Sequence, residues 1–514
     1  MQNFQYPSRV EKWDVWEVSF SGPTEGNPFT DYHVTGVFTG KNESRQVDGF
    51  YDGDGVYRVR FMPSFEGTYS FRLHADFWDE EQKGQFVAEP AKKGNHGPVR
   101  VAGTYHFAYE DGTPYYSIGT TCYVWELQSD SQIEKTLQTL SEQSFNKIRF
   151  CLFPKHYDYN LHEPRCYPFE GTPMDSSVLT PDNFAAYTGR TDGNHWDFTR
   201  PNPTFFRHVE KCLYALRERG IEADLILWHP YDRWGFSQMT REQDLFYLRY
   251  VVSRFSAFRH VWWSMANEYD LMPQKSIEDW ECLAMHLCRW DPYGHLRSIH
   301  NCLRFYDHSR PWITHCSIQR LDLYKSGEMT SEWRARYQKP VVLDEIAYEG
   351  NIQHGWGNIS GEELTRRFWE TACRGGYAGH GETFLSPDSM LWWSHGGTLH
   401  GDSPKRLAFL HRILCETPGL GLKPYPLSWD DVCAVPENSL IPPGQTQDYY
   451  LIYYSFMRPS FRDFHFDDDS VFDVRVIDTW NMTVEEKGTM SGAFRVTLPA
   501  KPYIAIQLRR VAKK

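Results

Sequence analysis

Two apolar runs in this chain end in glutamate. The first is Val261-Trp-Trp-Ser-Met-Ala-Asn-Glu-Tyr-Asp270, which closes on Asn267 and Glu268. The second is Pro340-Val-Val-Leu-Asp-Glu-Ile-Ala347, which closes on Glu345. A carboxylate at the mouth of an apolar strand costs on the order of several kcal/mol unless it is paired or used. Two such groups facing one pocket have a known use. One, protonated, delivers a proton to a leaving glycosidic oxygen, while the other, ionised, attacks the anomeric carbon. On this reading Glu268 is the acid/base and Glu345 the nucleophile. Asn267 is expected to donate a hydrogen bond to a sugar 2-hydroxyl. Arg149 is expected to keep Glu345 ionised by proximity of charge. Asp344 precedes Glu345 on its strand and is expected to point the other way, because strand side chains alternate. Glu349 falls in the loop beyond.

These groups need a frame that brings distant strand ends together. Between about residues 100 and 420, strand-like apolar runs alternate with helix-like stretches, the signature of β/α units. Eight strand candidates are legible: Tyr115–Cys122, Lys147–Phe153, Glu222–Trp228, the Val261 stretch, Leu296–His300, Trp312–His315, Val341–Glu345 and Gly376–His380. Helix signals lie between them. Ser131 and Glu134 make a capping-box pattern, and Pro203 opens a helix that Gly220 closes. The expected fold is α/β, a (β/α)8 TIM barrel, in which the C-terminal strand ends converge on one pocket. The polar residues at those ends are therefore the candidates for substrate binding. They are Arg149 and His156, His229 and Asp232, Asn267, His300, His315, and His380 with Glu382. Residues 154–200 form the largest insertion and are expected to be a loop over the barrel top.

Both flanks have a different texture. Short alternating strands with turn signals predict an antiparallel β-sandwich at each end. The expected division is 1–97 for the N-terminal sandwich, 98–422 for the barrel and 423–514 for the C-terminal sandwich.

Composition narrows the partners. The 514 residues carry a net charge of −13, which disfavours a nucleic-acid partner. Aromatic residues make up 16% of the chain, and such rings are suited to packing against the C–H face of a sugar. The 11 cysteines are scattered without a C-x-x-C pair, which fits reduced thiols and a cytoplasmic address better than disulfides or a zinc site. Met1–Tyr6 shows no signal-peptide pattern, and no apolar run is long enough for a membrane span. No cofactor is expected. A metal set drawn from His229, Asp232, His300, His315 and Glu382 is disfavoured, because strand one lacks an H-x-H and no strand-end lysine suggests a bridging carbamate. The expected partner is an oligosaccharide or glycoside. Self-association is compatible with the sequence but not specified by it.

The Asn-Glu pair ending strand four and the glutamate ending strand seven resemble the clan A glycoside hydrolases, the retaining "4/7" barrels. More narrowly, the chain resembles bacterial glycosidase-type proteins built from a DUF5060 sandwich, a DUF4038-like barrel and a DUF5605 sandwich. Gly119-Thr-Thr-Cys-Tyr-Val-Trp125, Gly379-His-Gly-Glu-Thr-Phe384 and Leu391-Trp-Trp-Ser-His-Gly-Gly-Thr-Leu-His-Gly401 carry that likeness. The resemblance implies an exo-acting retaining glycosidase of the β-galactosidase, β-xylosidase, arabinofuranosidase or apiosidase kind. It also implies an aromatic platform at Trp393 or its neighbour Trp392. The competing readings are a carbohydrate-binding protein without catalysis and a metal-dependent hydrolase on the same barrel.

Overall fold

The computed structural model describes residues 4–320, 322, 324–386 and 391–511. Met1–Asn3, where the leader reading begins, lie outside the described residues. Its centre is an eight-stranded parallel sheet that curls into a nearly closed barrel. In chain order the strands are Gly119–Thr121, Lys147–Cys151, Glu222–Trp228, Val261–Ala266, Arg297–Ser298, Cys316–Gln319, Val341–Glu345 and Tyr377–His380. Each pairs in parallel with its sequence neighbours, and strand one also pairs with strand eight. Strands five and six meet only through a bridge between His300 and Ser317. Most strand residues are buried, as expected where helices cover the outer face.

Helix starts follow local chemistry. Thr240 and Gln243 form a reciprocal capping box before Arg241–Phe255, and Ser276 and Asp279 do the same before Ile277–Trp290. Asn202 caps Pro203–Glu218, with proline in the first turn. The first barrel helix, Asp130–Glu142, is capped by Ser129 rather than by the expected Ser131. Ser129 is extended and its hydroxyl accepts from the Gln132 amide, whereas Ser131 is already inside the helix.

Strand six differs from the sequence expectation. It begins at Cys316, one residue beyond the predicted run Trp312–His315. His315 therefore lies at the barrel floor, where its ring packs against Phe107 and Trp262. Phe107, Tyr115, Trp262, Val342 and Tyr377 plug that end. The insertion at 154–200 is also more ordered than a loop, since Phe169–Thr172 pairs antiparallel with His195–Pro201.

Before the barrel, a five-stranded and a three-stranded sheet share one core, including Trp16, Phe38, Phe61 and Phe86. Strand Trp16–Ser21 alternates buried and less buried positions, the pattern of a sheet wetted on one face. A buried ionic cluster joins this part to the barrel helices: Arg60 reaches Glu210 at 2.6 Å, and Arg254 reaches Asp52 and Glu210, each at 2.8 Å. After the barrel, a six-stranded antiparallel sheet and a two-stranded ribbon enclose a second core around Phe472, Val474 and Ile506. The other face of that sheet, with Tyr449, Leu451 and Tyr453, joins the barrel core. No helix among the described residues is long and apolar enough to cross a membrane.

Candidate active site

Glu268 follows strand four and adopts φ 48° and ψ 54°, a left-handed conformation that costs a non-glycine residue about 1–3 kcal/mol. Its neighbours hold it there. The Asn267 amide donates to the Trp228 carbonyl, and the Tyr269 amide donates to the His300 carbonyl at 3.0 Å. Two side chains donate to the carboxyl: Tyr231 through its phenol to Oε2, and Gln319 through Nε2 to Oε1 at 2.7 Å.

Glu345 ends strand seven within a different shell. Tyr123 donates its phenol hydrogen to Oε1. Arg149 Nη1 and His300 Nε2 each lie 3.4 Å from the same oxygen. Arg149 also donates through Nη2 to Oδ1 of Asn267 at 2.7 Å. That bond turns the Asn267 amide so that its NH2 is the end left to donate outward. His300 is fixed through Nδ1 by Ser317 Oγ at 3.0 Å, and Ser317 in turn donates to Asp344 at 2.5 Å.

Asp344 does not point away from this group. A register shift between Ser317 and Gln319 breaks the simple alternation, and Asp344 lies inside the barrel, 2.7 Å from Lys147 Nζ. Lys147 also binds Asp224 at 2.8 Å, so one buried ammonium bridges two carboxylates beneath the site.

The two glutamates stand in contrasting electrostatic surroundings. Burial, followed by the charge of Glu345, pushes the Glu268 carboxyl above the usual carboxylate range against its hydrogen bonds. Burial works the same way on Glu345, but His300, Arg149 and Tyr123 together outweigh it and hold that carboxyl below its usual range. One group is thus disposed to keep a proton and the other to give it up. A cavity of about 270 Å³ opens beside Glu345, lined by that residue and by Gln319, Arg320, Tyr348 and Trp356 among others.

The chain's domains recur in known proteins. Residues 102–396 match the model of the apiosidase-like catalytic domain. The chain belongs to the apiosidase-like family. Residues 9–76 match DUF5060 and residues 429–509 match DUF5605, both described as domains of unknown function. A candidate glycoside hydrolase from Bacteroides vulgatus ATCC 8482 is 36% identical over 98% of this chain and 100% of its own, with a TM-score of 0.89. A second solved structure, a glycoside hydrolase, shares only the fold: it is 13% identical over 82% of this chain and 98% of its own, with a TM-score of 0.59. No curated protein matches the chain. This apiosidase-like chain is a glycoside hydrolase.

Not every expected residue reaches the apiosidase-like site. Arg149, Asn267, His300, Glu268 and Glu345 are gathered there. His156 is not: its ring stacks on Phe184, and Nε2 donates to the Phe184 carbonyl at 2.8 Å. His229 donates from Nε2 to the Phe153 carbonyl at 3.2 Å, inside the adjoining loop. Asp232 is occupied with the backbone amides of Trp234 and Ser237 and with the Ser237 hydroxyl, so it shapes its own turn. His315 lies at the floor. His380 pairs in register with Thr120, accepts no place in the cavity, and packs against Phe145 outside the barrel. Burial holds His156 down to about 4, and His229, His315 and His380 to about 3, so all four are neutral at ordinary pH. Glu382, pushed up to about 7 by burial, accepts from the amides of His400 and Gly401 and pins that loop.

Trp393 is likewise not an open platform. The Lys155 ammonium lies 4.0 Å from its ring centroid, and Trp356 packs 5.1 Å away. The tryptophan that lines the cavity in the apiosidase-like barrel is Trp356, beside Tyr348. Tyr123, Tyr231, Gln319, Lys155 and Trp356 were all missed as site residues. Tyr123 and Tyr231 sat inside stretches already singled out, Gly119–Trp125 and His229–Asp232, and a phenol between polar strand-end residues was the available signal. Among the described residues, no group of three His, Cys, Asp or Glu side chains is arranged to hold a metal ion.

Proposed function

We propose that this apiosidase-like protein is a retaining exo-glycosidase of the 4/7 kind, with Glu268 as acid/base and Glu345 as nucleophile. The observation that carries the reading is the opposed state of the two carboxyls: Glu268 is disposed to hold a proton, and Glu345 to stay ionised. In the first step Glu345 attacks the anomeric carbon, and the bond to the leaving oxygen breaks as Glu268 gives that oxygen its proton. In the second, Glu268 takes a proton from water, whose oxygen displaces Glu345. Asn267, its amide set by Arg149, is suited to bind the sugar 2-hydroxyl. A small cavity walled by Trp356 and Tyr348 suits one terminal sugar better than a threaded chain.

The substrate class is a terminal galactoside, xyloside, arabinofuranoside or apioside. With the division at residues 97 and 422, the flanking β domains brace the barrel from outside, the first through the Arg60–Glu210 and Arg254–Asp52 pairs and the second through Tyr449, Leu451 and Tyr453. The eleven thiols, all without disulfides, favour a cytoplasmic site of action on small imported glycosides.

The test combines Glu268→Gln and Glu345→Gln with a panel of nitrophenyl glycosides, reading turnover and the anomeric configuration of the first-formed product. Loss of turnover in both variants with a retained configuration supports the reading. An inverted product overturns the double displacement. Near-wild-type turnover in both variants overturns the two-carboxylate mechanism altogether.

A further inference from the structure

The group at the site that the mechanism leaves unused is a lysine. Lys155 lies just past strand two and is buried. Its Nζ faces four rings, at 3.7 Å from the centroid of Tyr123, 4.5 Å from Tyr231, 4.0 Å from Trp393 and 5.0 Å from Tyr157. An ammonium taken out of water is tolerated in such a cage because each aromatic face presents negative potential. Two of these rings are the donors already described: Tyr123 donates to Glu345 and Tyr231 to Glu268. One cation therefore touches both phenols that hold the two carboxyls, although they arise from different strand ends.

We propose that Lys155 is a positioning residue for the glycosidase reaction, acting on Glu268 and Glu345 together through the rings of Tyr231 and Tyr123. The inference rests on the proposed roles of the two glutamates. Its chemistry is direct. A cation on a phenol's face draws electron density from the ring and makes the hydroxyl a stronger donor. The same charge, present below the lysine's own pKa and held in a dry setting, favours the ionised form of each nearby carboxyl. The cation sets where the pair titrates without itself contacting the sugar.

Other groups face the same ammonium. Burial pulls Lys155 down to about 8, opposed by Cys151, Glu268 and Glu345 and reinforced by Arg149. His229 also senses the charge, though burial already keeps it neutral. Glu268 further faces His300 and Cys302, and Glu345 faces His300, Arg149 and Tyr348.

The experiment compares the pH profile of kcat/KM for wild type, Lys155→Met and Lys155→Arg. Removing the charge raises the pKa of both carboxyls. The acid limb, where Glu345 must be ionised, and the alkaline limb, where Glu268 must be protonated, both move to higher pH in the methionine variant. The kcat falls by about tenfold to a hundredfold, the effect of weakening hydrogen bonds to charged groups, while KM changes little. The arginine variant keeps the charge and returns both limbs to their wild-type positions. Limbs that stay put in the folded methionine variant, or that move as far in the arginine variant, overturn the proposal. Should the methionine variant not fold, Lys155→Gln, which also removes the charge, takes its place, with both limbs moved to higher pH supporting the proposal and unmoved limbs overturning it. Activity retained in the Glu268→Gln and Glu345→Gln enzymes would instead remove the reading beneath it.

Discussion

Gln319 at the end of strand six donates to Glu268 at the end of strand four at 2.7 Å, across the barrel mouth. Strand five, between them, is only two residues long. The bond therefore spans the weakest part of the barrel wall, where strands five and six share the single His300–Ser317 bridge.

Replacing Gln319 with leucine moves the alkaline limb of activity upward. Gln319 stabilises the ionised form of Glu268, so its loss raises that carboxyl further. In the proposed acid role Glu268 acts protonated and activity falls as pH rises through its pKa, so the limb shifts to higher pH. A kcat/KM profile checks this, with an expected loss at neutral pH of about tenfold from the missing contact. An unmoved alkaline limb argues against the acid role.

Tyr123→Phe acts on the other limb. Its phenol favours ionised Glu345. Without it the carboxyl's pKa rises, and because the proposed nucleophile works ionised, activity is lost at a higher pH on the acid side. The same profile should show the acid limb displaced, with kcat down by about tenfold to a hundredfold.

Lys147→Met tests the layer beneath the site. It leaves Asp224 and Asp344 buried side by side without their shared cation. Breaking a buried pair in this way costs about 3–5 kcal/mol, readable as a lower denaturant midpoint. Adding Asp224→Asn and Asp344→Asn should recover part of the loss.

Trp356→Ala should raise KM by about tenfold on aryl glycosides, with a smaller effect on kcat, as loss of an aromatic contact predicts. The half-buried ring lines the cavity with Glu345. Trp393→Ala should instead lower stability, since that ring is packed between Lys155 and Trp356.

Chelation separates the remaining reading. Incubation with EDTA followed by assay should leave turnover unchanged. Activity that EDTA abolishes, and that survives Glu268→Gln, would point to a metal-dependent hydrolase.

The positions of Glu268 and Glu345 were legible because each ends a strongly apolar run with little competing signal. Asn267 was legible from the first of these runs and Arg149 from the separate run Lys147–Phe153. The histidines were a poorer guide. A histidine near a strand end reads alike whether it faces the mouth, as His300 does, the floor, as His315 does, or the helix layer, as His380 does. Which face it takes depends on strand register, and an error of one residue reverses it. Strand six shows this directly: its start at Cys316 sends His315 to the floor and brings Gln319 to the site.

The sequence by itself determined the barrel's alternation of strands and helices, the β-rich flanks and the two strand-end glutamates. These are properties of local periodicity and burial, which a chain carries in its own order. Tertiary structure alone decided that Tyr231 and Gln319 share Glu268, that Tyr123 and His300 converge on Glu345, and that one lysine touches both tyrosines. Those contacts join strand ends far apart in the chain, and their geometry follows from barrel closure, register and the bulge near Gln319, none of which has a local signature.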